Sequence, residues 1–571
     1  MSFRWIYREP EDADAVATLQ DRLGVEEILA RLLVLRNITT FEQAHTFFRS
    51  SLESLYDPYL MKDMDKAAAR VAKAVRNNEH IVVYGDYDVD GTTATSIVYS
   101  FLKEFGCCVD YYIPHRFKEG YGISPEGVEY AKEINATLLI SVDCGITAIE
   151  ETKMANELGI DVVICDHHTA GDAIPEALAV LDPKRPDCPY PFEGLSGAGV
   201  GFKLVQATLT ELGLPQTVAY KYLDLLAISI ASDIVPVVDE NRILMREGLK
   251  ILNSHPRPGI KALMDLINLK PGNLNGTRIV FSIGPRINAA GRLGDAKIAV
   301  ELLIAETEAE ANAFAHQLEA INIKRRTIDS DTMDRAVEML EDVKDIEDLN
   351  SLVLHHPDWH LGVIGIVASR LVDKFYRPTI MLSTVDGLAK GSARSIQGFN
   401  VYEALKECED MLIQFGGHEY AAGLTLKEED IAEFRKRFNL IVDKHLSEKI
   451  FEPELAIDAM LNLEDVNTKF WKVLRQFEPF GPMNMRPIFT SENVKVTMTP
   501  TIVGNGHIKF KVRQGNSAEF EAIGFNMHEY LPLVRDSEPG KLCIAYVLDE
   551  NHWNGRTSLQ LRLKDVKKME D

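Results

Sequence analysis

Between residues 80 and 182 the chain repeats one pattern, in which a short and largely apolar run is succeeded by a stretch of helical spacing and then by another apolar run. The runs are Ile81–Tyr84, Val109–Ile113, Thr137–Val142, Val162–Cys165 and Leu178–Leu181, with helices expected at Thr92–Phe105, Pro125–Ile134 and Ala148–Leu158. Strands that are apolar along their length and alternate with helices predict a parallel sheet covered on both faces. The residues just after each strand are then decisive, because a parallel sheet presents its carboxyl ends at one edge, where open α/β folds place their ligands.

Asp86, Asp88 and Asp90 follow the first run, Asp143 follows Leu138-Leu139-Ile140-Ser141-Val142, and Asp166-His167-His168 follow Val162-Val163-Ile164-Cys165. Carboxylates this close repel one another unless a cation or strong donors offset them. Gly91 supplies a tight turn, and Thr92 or Thr93 is the expected cap of the next helix. An EF-hand is excluded, because its bidentate Glu would fall at Ile97 and a strand precedes the loop where a helix should. An ordinary solvated acidic turn explains one such loop, but it would have to recur independently at the same edge. A metal site fed from separate strands is the better reading. A helical segment, Tyr220–Ala231, delivers a further candidate ligand in Ser232-Asp233 before Pro236 stops it.

A pair of divalent cations needs a bridging carboxylate, flanking carboxylate and imidazole ligands, and open positions for water and substrate. Asp88, Asp90, Asp143, His167 and Asp233 meet that need, and mostly oxygen donors favour Mn²⁺ or Mg²⁺ over structural zinc. The seven cysteines include no C-x-x-C pair, so neither a thiolate zinc site nor a disulfide framework is indicated. Phosphoester hydrolysis is the indicated reaction. His168 cannot easily share an ion with its neighbour, which leaves substrate contact or proton transfer.

At 571 residues the chain exceeds one core. Five segments are expected: an N-terminal helical segment over 1–50, the metal-bearing domain over 51–300, a connecting helix over 301–345, a second α/β domain over 346–450, and a small antiparallel barrel over 451–571. Alternation in Ile508–Arg513 and Ser558–Lys564, with hairpin signals at Asn505-Gly506 and Asn554-Gly555, supports the barrel. The formal charge of −24 argues against coating nucleic acid over the whole surface, but not against a local basic groove. No apolar run reaches signal-peptide or membrane-spanning length, so a cytoplasmic protein is expected. Gly197-Ala-Gly199-Val-Gly201 has the outline of a nucleotide loop but follows no strand and lacks a Walker lysine, so close helix packing is preferred.

Asp86-Tyr-Asp88-Val-Asp90-Gly91, Asp143-Cys-Gly145, Asp166-His167-His168 and Ser232-Asp233 resemble, in order, the four motifs of the DHH phosphoesterases. Gly284-Pro-Arg286-Ile-Asn288-Ala-Ala-Gly291-Arg292 and the terminal barrel resemble, within that superfamily, the RecJ family of bacterial single-strand-specific 5′ to 3′ DNA exonucleases. The resemblance covers nearly the whole chain from about residue 50. It implies a multidomain α/β fold: a parallel-sheet DHH domain, a long linking helix, an α/β DHHA1 domain and an OB-fold β-barrel, around a hole that admits single strands. It implies Asp90, Asp143, His167 and Asp233 around one metal and Asp88 and Asp143 around the other, with Asp86 a ligand or a supporting group. The catalytic groups are then Asp143, His168 and Asp166. Some relatives carry a His ligand where this chain has Tyr84, which implies a weaker site for the Asp88 ion.

The resemblance also places Arg116 as the anchor of the 5′ phosphate. Arg286, Asn288 and Arg292 fall on the substrate side of the first domain, and Ser392, Arg394, Gly416, Gly417 and His418 on that of the DHHA1 domain. Taken alone, Gly416-Gly417 reads as a turn. The implied role is DNA repair and recombination, by a monomer that releases 5′-mononucleotides and works with single-strand-binding protein and a RecQ-type helicase. The alternatives are a DHH phosphodiesterase of short oligonucleotides or cyclic dinucleotides, and a catalytically inert single-strand binder.

Overall fold

The computed structural model describes residues 3–341, 349–445, 452–553 and 556–569. The chain divides into two compact units, one formed by His45–Arg325 with Phe477–Met485, the other by Met1–Ala44, Arg326–Gln476 and Arg486–Asp571. The first forty-four residues are therefore not a separate helical segment. Their first strand, β1 (Arg4–Tyr7), lies parallel to β12 (Glu454–Ile457) of the second unit. The expected boundaries at 345/346 and 450/451 lie outside the described residues. No helix among those described is long and apolar enough to cross a membrane.

The first unit is built on five parallel strands, β2 (His80–Gly85), β3 (Cys108–Tyr112), β4 (Leu138–Val142), β5 (Asp161–Cys165) and β6 (Ala179–Leu181), in the order β3-β2-β4-β5-β6. Gly85 pairs with Val142, Val142 with Cys165, and Cys165 with Leu181, so four strand ends stand in line. Ile81, Val83, Ile140 and Val163 face one core, against the helices Val89–Glu104 and Gly197–Glu211. Val82, Tyr84, Leu139 and Ile164 face the other, with the helices Pro125–Glu133 and Ile149–Glu157. Burial on both faces is why the strands are apolar at odd and even positions alike.

The helix after β2 begins earlier than its spacing predicts. Asp88, not Thr92 or Thr93, is the cap: its Oδ1 accepts from the Gly91 amide at 3.0 Å. The two threonines lie inside the helix and donate back to the Asp88 and Val89 carbonyls. Further on, the helix Leu223–Ser232 ends at Asp233, and a π-helical turn, Ile279–Ile283, leads into the helix Gly284–Leu293. One helix runs unbroken from Glu308 to Glu341.

In the second unit, β7 (Leu352–His355), β8 (Thr379–Val385), β9 (Leu388–Arg394), β10 (Leu412–His418) and β11 (Ala421–Lys427) form one sheet in the order β10-β11-β9-β8-β7. The Gly416-Gly417 turn expected from sequence is thus part of a strand, paired with Gly423 and Ala422. The terminal barrel contains β13 (Ala459–Met460), β14 (Phe489–Val503), β15 (His507–Arg513), β16 (Phe520–Gly524), β17 (Leu542–Trp553) and β18 (Arg556–Lys568). It closes because β14 pairs with both β15 and β17. The Asn505-Gly506 hairpin is present between β14 and β15, while Asn554-Gly555 lies outside the described residues.

Candidate metal centre

The strand tips converge. His167 Nε2 lies 3.2 Å from Asp143 Oδ1, 3.5 Å from Asp233 Oδ2 and 3.7 Å from Asp90 Oδ2. Ligand atoms of Asp86, Asp88 and Asp143 lie within 4.8 Å of one another, which makes Asp143 common to both groups. Asp86, Asp90, Asp143 and His167 are buried. Among the described residues, Asp86 Oδ1, Asp143 Oδ1, Asp233 Oδ2 and both ring nitrogens of His167 have no hydrogen-bond partner. Buried polar atoms are normally satisfied, so unpartnered carboxylate oxygens gathered with His167 Nε2 fit two cations held by oxygen and imidazole.

The electrostatics agree. Burial, and then repulsion from neighbouring carboxylates, raises the pKa values of Asp86, Asp88, Asp143 and Asp233. Burial pushes His167 down to about 4, which keeps its ring neutral and able to ligate. Asp143 itself sits at φ +62°, a left-handed conformation that Asp tolerates better than most residues and that turns the chain sharply at the end of β4.

Asp90 is held by the first turn of the Gly197–Glu211 helix. Its Oδ2 accepts from the Gly197 amide at 2.6 Å, and its Oδ1 from the Ala198 amide at 2.9 Å and the Ser229 hydroxyl at 2.6 Å. A helix N-terminus is a natural seat for a carboxylate. Gly197 has a second reason to be glycine: a Cβ there would stand 2.5 Å from the Asp143 Cβ. Close packing, as expected from sequence, does account for Gly199 and Gly201, which face Leu195 and Val98, but the contact of Gly197 with two ligands was not foreseen.

Asp166 and His168 are bonded to each other at the side of this cluster, and a His168 ring nitrogen comes within 4.8 Å of ligand atoms of Asp143 and His167, close enough to share an ion with its neighbour against expectation. The Asp166 carboxylate accepts from the Ile146, His167 and His168 amides and from the His168 ring, whose Nδ1 stands 2.8 Å away. Burial opposes ionisation of Asp166, but the His168 ring outweighs it and holds the carboxyl below its usual range. Burial likewise opposes protonation of His168, and the bond to Asp166 overcomes it and raises its pKa. The Tyr121 hydroxyl lies 3.0 Å from His168 Nδ1 and 3.0 Å from the Asp143 carbonyl, a bridging role the sequence did not reveal. Tyr84 points away: its hydroxyl donates to the Gly122 carbonyl at 2.9 Å and accepts from the Ser124 amide.

The chain matches the DHH family, N-terminal domain over residues 80–230, the DHHA1 domain over 348–444 and the RecJ OB domain over 457–565. It is 41% identical over 567 residues to the single-stranded-DNA-specific exonuclease RecJ of Bacillus subtilis, covering 99% of this chain and 70% of that protein. It is 34% identical to RecJ of Salmonella typhimurium, covering 97% and 98% of the two chains. The chain belongs to the RecJ family. The crystal structure of RecJ from Thermus thermophilus in complex with Mn²⁺ superposes with a TM-score of 0.84 at 29% identity, covering 100% of this chain and 80% of that one. The same RecJ has been solved with Mg²⁺.

The substrate-side residues expected from the RecJ resemblance fare unevenly. Arg116 stacks over the Tyr87 ring at 5.0 Å and lines a cavity of about 120 Å³ with His115, Gly291 and Lys297. Arg292 is half-buried in the last turn of the Gly284–Leu293 helix. Arg286 is not on offer to a ligand: its Nε and Nη2 pair with Glu319 at 2.5 and 3.1 Å, and its Nη1 donates to the Ser282 carbonyl. The Asn288 side-chain oxygen accepts from the Val89 amide at 3.1 Å, so it supports the acidic loop. In the second unit, β11 pairs Gly423 with both Gly416 and Ser392, and Ala421 with both His418 and Arg394. Those side chains therefore share one face of the sheet, kept low by its glycines, with Arg394 Nη1 donating to the Ser392 hydroxyl at 2.8 Å.

Proposed function

We propose that this protein is a divalent-cation-dependent exonuclease that degrades single-stranded DNA from the 5′ end in repair and recombination. The observation that carries the reading is the meeting of Asp90, Asp143, His167 and Asp233 around unpartnered buried atoms. These four hold one cation and Asp86, Asp88 and Asp143 the other, Mn²⁺ or Mg²⁺, with Asp143 shared. When bound, such a pair supplies Lewis acidity at phosphorus and a water nucleophile at neutral pH.

The chain's own residues do the rest. Arg116 and its cavity hold the terminal 5′ phosphate, a task suited to a planar guanidinium. The next phosphodiester is then the one attacked: water adds to phosphorus, the 3′ oxygen of the terminal nucleotide leaves, and a 5′-mononucleotide departs. The shortened strand carries a new 5′ phosphate, ready for Arg116. His168, whose protonated form the bond to Asp166 favours, contacts the phosphate or delivers a proton to the leaving oxygen. Asp166 acts through His168 as a positioning residue. The Ser392, Arg394 and His418 face binds backbone phosphates, and its glycines let the strand approach.

The reading extends to a cytoplasmic monomer acting with single-strand-binding protein and a RecQ-type helicase that opens duplex ahead of it. A 5′-phosphorylated 30-mer, its duplex and a dinucleotide, each incubated with the chain and Mn²⁺, test the reading. Mononucleotides released from the single strand are expected, and none from the D143A variant. Preference for the dinucleotide would replace the proposal with a short-oligonucleotide phosphodiesterase, and DNA binding without cleavage would leave an inert binder.

A further inference from the structure

The fifth strand also ends in a carboxylate, Asp182, which sequence reading passed over. The Asp166 amide donates to the Leu181 carbonyl at 3.0 Å, so Asp182 stands at the same sheet edge, beside the Asp166-His167-His168 loop. Asp182 is fully buried. Its Oδ1 accepts from the Lys184 amide at 2.7 Å, while its Oδ2 has no hydrogen-bond partner among the described residues.

On the other side of Lys184 the chain is pinned again. The buried Arg185 donates to the Val180 carbonyl at 2.7 Å and to Asp63 at 3.1 Å, and it takes both oxygens of Asp187 at 2.9 Å. Lys184 is thus carried on a turn clamped before and after it, yet its own side chain is exposed and has no ion-pair partner among the described residues. Leu181 pairs with Cys165, and the Lys184 amide is tied to Asp182 just beyond that strand end, so the turn carrying Lys184 stands at the carboxyl edge of the sheet, beside the Asp166-His167-His168 loop. The ligand carboxylates Asp86, Asp88, Asp90, Asp143 and Asp233 together carry one negative charge more than two divalent cations offset, and Asp182 lies at the same edge. A phosphodiester approaching this edge is therefore helped by each cation beside it, and Lys184 would add to what His168 and Arg116 supply.

We propose that Lys184 contacts the phosphate backbone of the DNA strand at this edge, and that Asp182 is the positioning residue that fixes the turn presenting it. The inference rests on the exonuclease reading. A lysine suits this role because it follows a phosphate as a mobile point charge without demanding one geometry. A merely solvated lysine would leave strand binding untouched.

The test compares the full-length wild type with K184A, K184M, K184R and D182N, using cleavage of a 5′-phosphorylated 30-mer over a range of salt and Mn²⁺ affinity measured without DNA. K184A and K184M are expected to lose about 10–100-fold in kcat/KM, the size of one charge-assisted hydrogen bond. The slope of log KM against log salt should flatten by about 0.7, one phosphate contact on a single strand. Mn²⁺ affinity should hold or tighten, because a positive charge beside the ligands is gone. K184R should stay within about threefold of wild type, whereas D182N, which weakens the acceptor that fixes the turn, should lose activity in the direction of K184A with Mn²⁺ affinity held. Cleavage by K184A within twofold of wild type at an unchanged salt slope overturns the proposal. Parallel loss of Mn²⁺ affinity and cleavage also overturns it, by showing a structural role. Absence of cleavage by the wild type rejects the exonuclease reading and the role of Lys184 with it, whereas wild-type cleavage matched by K184A rejects Lys184 alone.

Discussion

Replacing Asp143 with Asn should make the protein more stable without metal and less stable with it. Asp143 belongs to both ligand groups, and its oxygens lie within 4.8 Å of those of Asp86 and Asp88. Two unit charges at that separation repel by about 3.5 kcal/mol at an effective dielectric near 20. Partial protonation relieves some of this, since burial and mutual repulsion raise these carboxyls above their usual range. A gain of about 2–4 kcal/mol is expected for D143N at pH 8 in chelator, or roughly 5–10 °C for a unit of this size. Asn keeps the shape and tolerates the left-handed backbone at φ +62°, so no new strain offsets the gain.

With Mn²⁺ the order inverts. Two ions, each at a hundred times its dissociation constant, stabilise the wild type by about 5.4 kcal/mol, and D143N, which lacks the ligand common to both groups, forgoes that. The sign of the pH dependence comes from the raised pKa values: the repulsion is present above the folded pKa and vanishes as pH falls through it. The D143N advantage in chelator should therefore shrink toward pH 4. Thermal denaturation in excess EDTA and in saturating Mn²⁺, at several pH values, reads all of this. A D143N protein that melts below wild type in EDTA, or that gains as much from Mn²⁺, would show that the carboxylates are not a cation site.

G197A should destabilise by about 1–3 kcal/mol despite the better helix propensity of Ala, because its Cβ meets the Asp143 Cβ at 2.5 Å, and Mn²⁺ titration should show at least a tenfold weaker site. R286A should cost about 2–3 kcal/mol of stability through the unpaired Glu319, while the salt dependence of DNA binding stays as in wild type; a flatter salt slope would return Arg286 to the substrate side. Burial, aided by Asp166, pushes Asp182 up to about 7, so its charge opposes folding above that pH and the burden fades as pH drops below it; D182N in EDTA should be more stable by up to about 4 kcal/mol at pH 9 and indistinguishable from wild type near pH 4. Y84F should lose about 1–2 kcal/mol with its bonds to Gly122 and Ser124 and leave Mn²⁺ affinity unchanged; a weaker metal site would mean that Tyr84 reaches the ions after all.

The parts of the centre that were legible in the sequence share one property: they immediately follow parallel strands. Topology alone brings Asp86, Asp143 and His167 to one edge, whatever the loops between them do, so position in the pattern substitutes for knowledge of contacts. The fifth tip, Asp182, obeys the same rule and was missed only because β6 is three residues long and its carboxylate stands alone, without a neighbouring acid or histidine to mark it. Side chains whose role depends on a distant partner carry no such mark. Arg286 looks like any basic residue in a glycine-broken stretch until Glu319 is found opposite it, and Asp90 shows nothing of the amides at Gly197 and Ala198 that hold it. Gly416-Gly417 misled for a related reason. A strand is betrayed by alternating side chains, and here every second position on one face is small, because Gly416, Gly423 and Ser392 lie in register across three strands. The glycines that hide the strand are the ones that leave its face open, so local pattern fails where the fold has cleared room for a ligand.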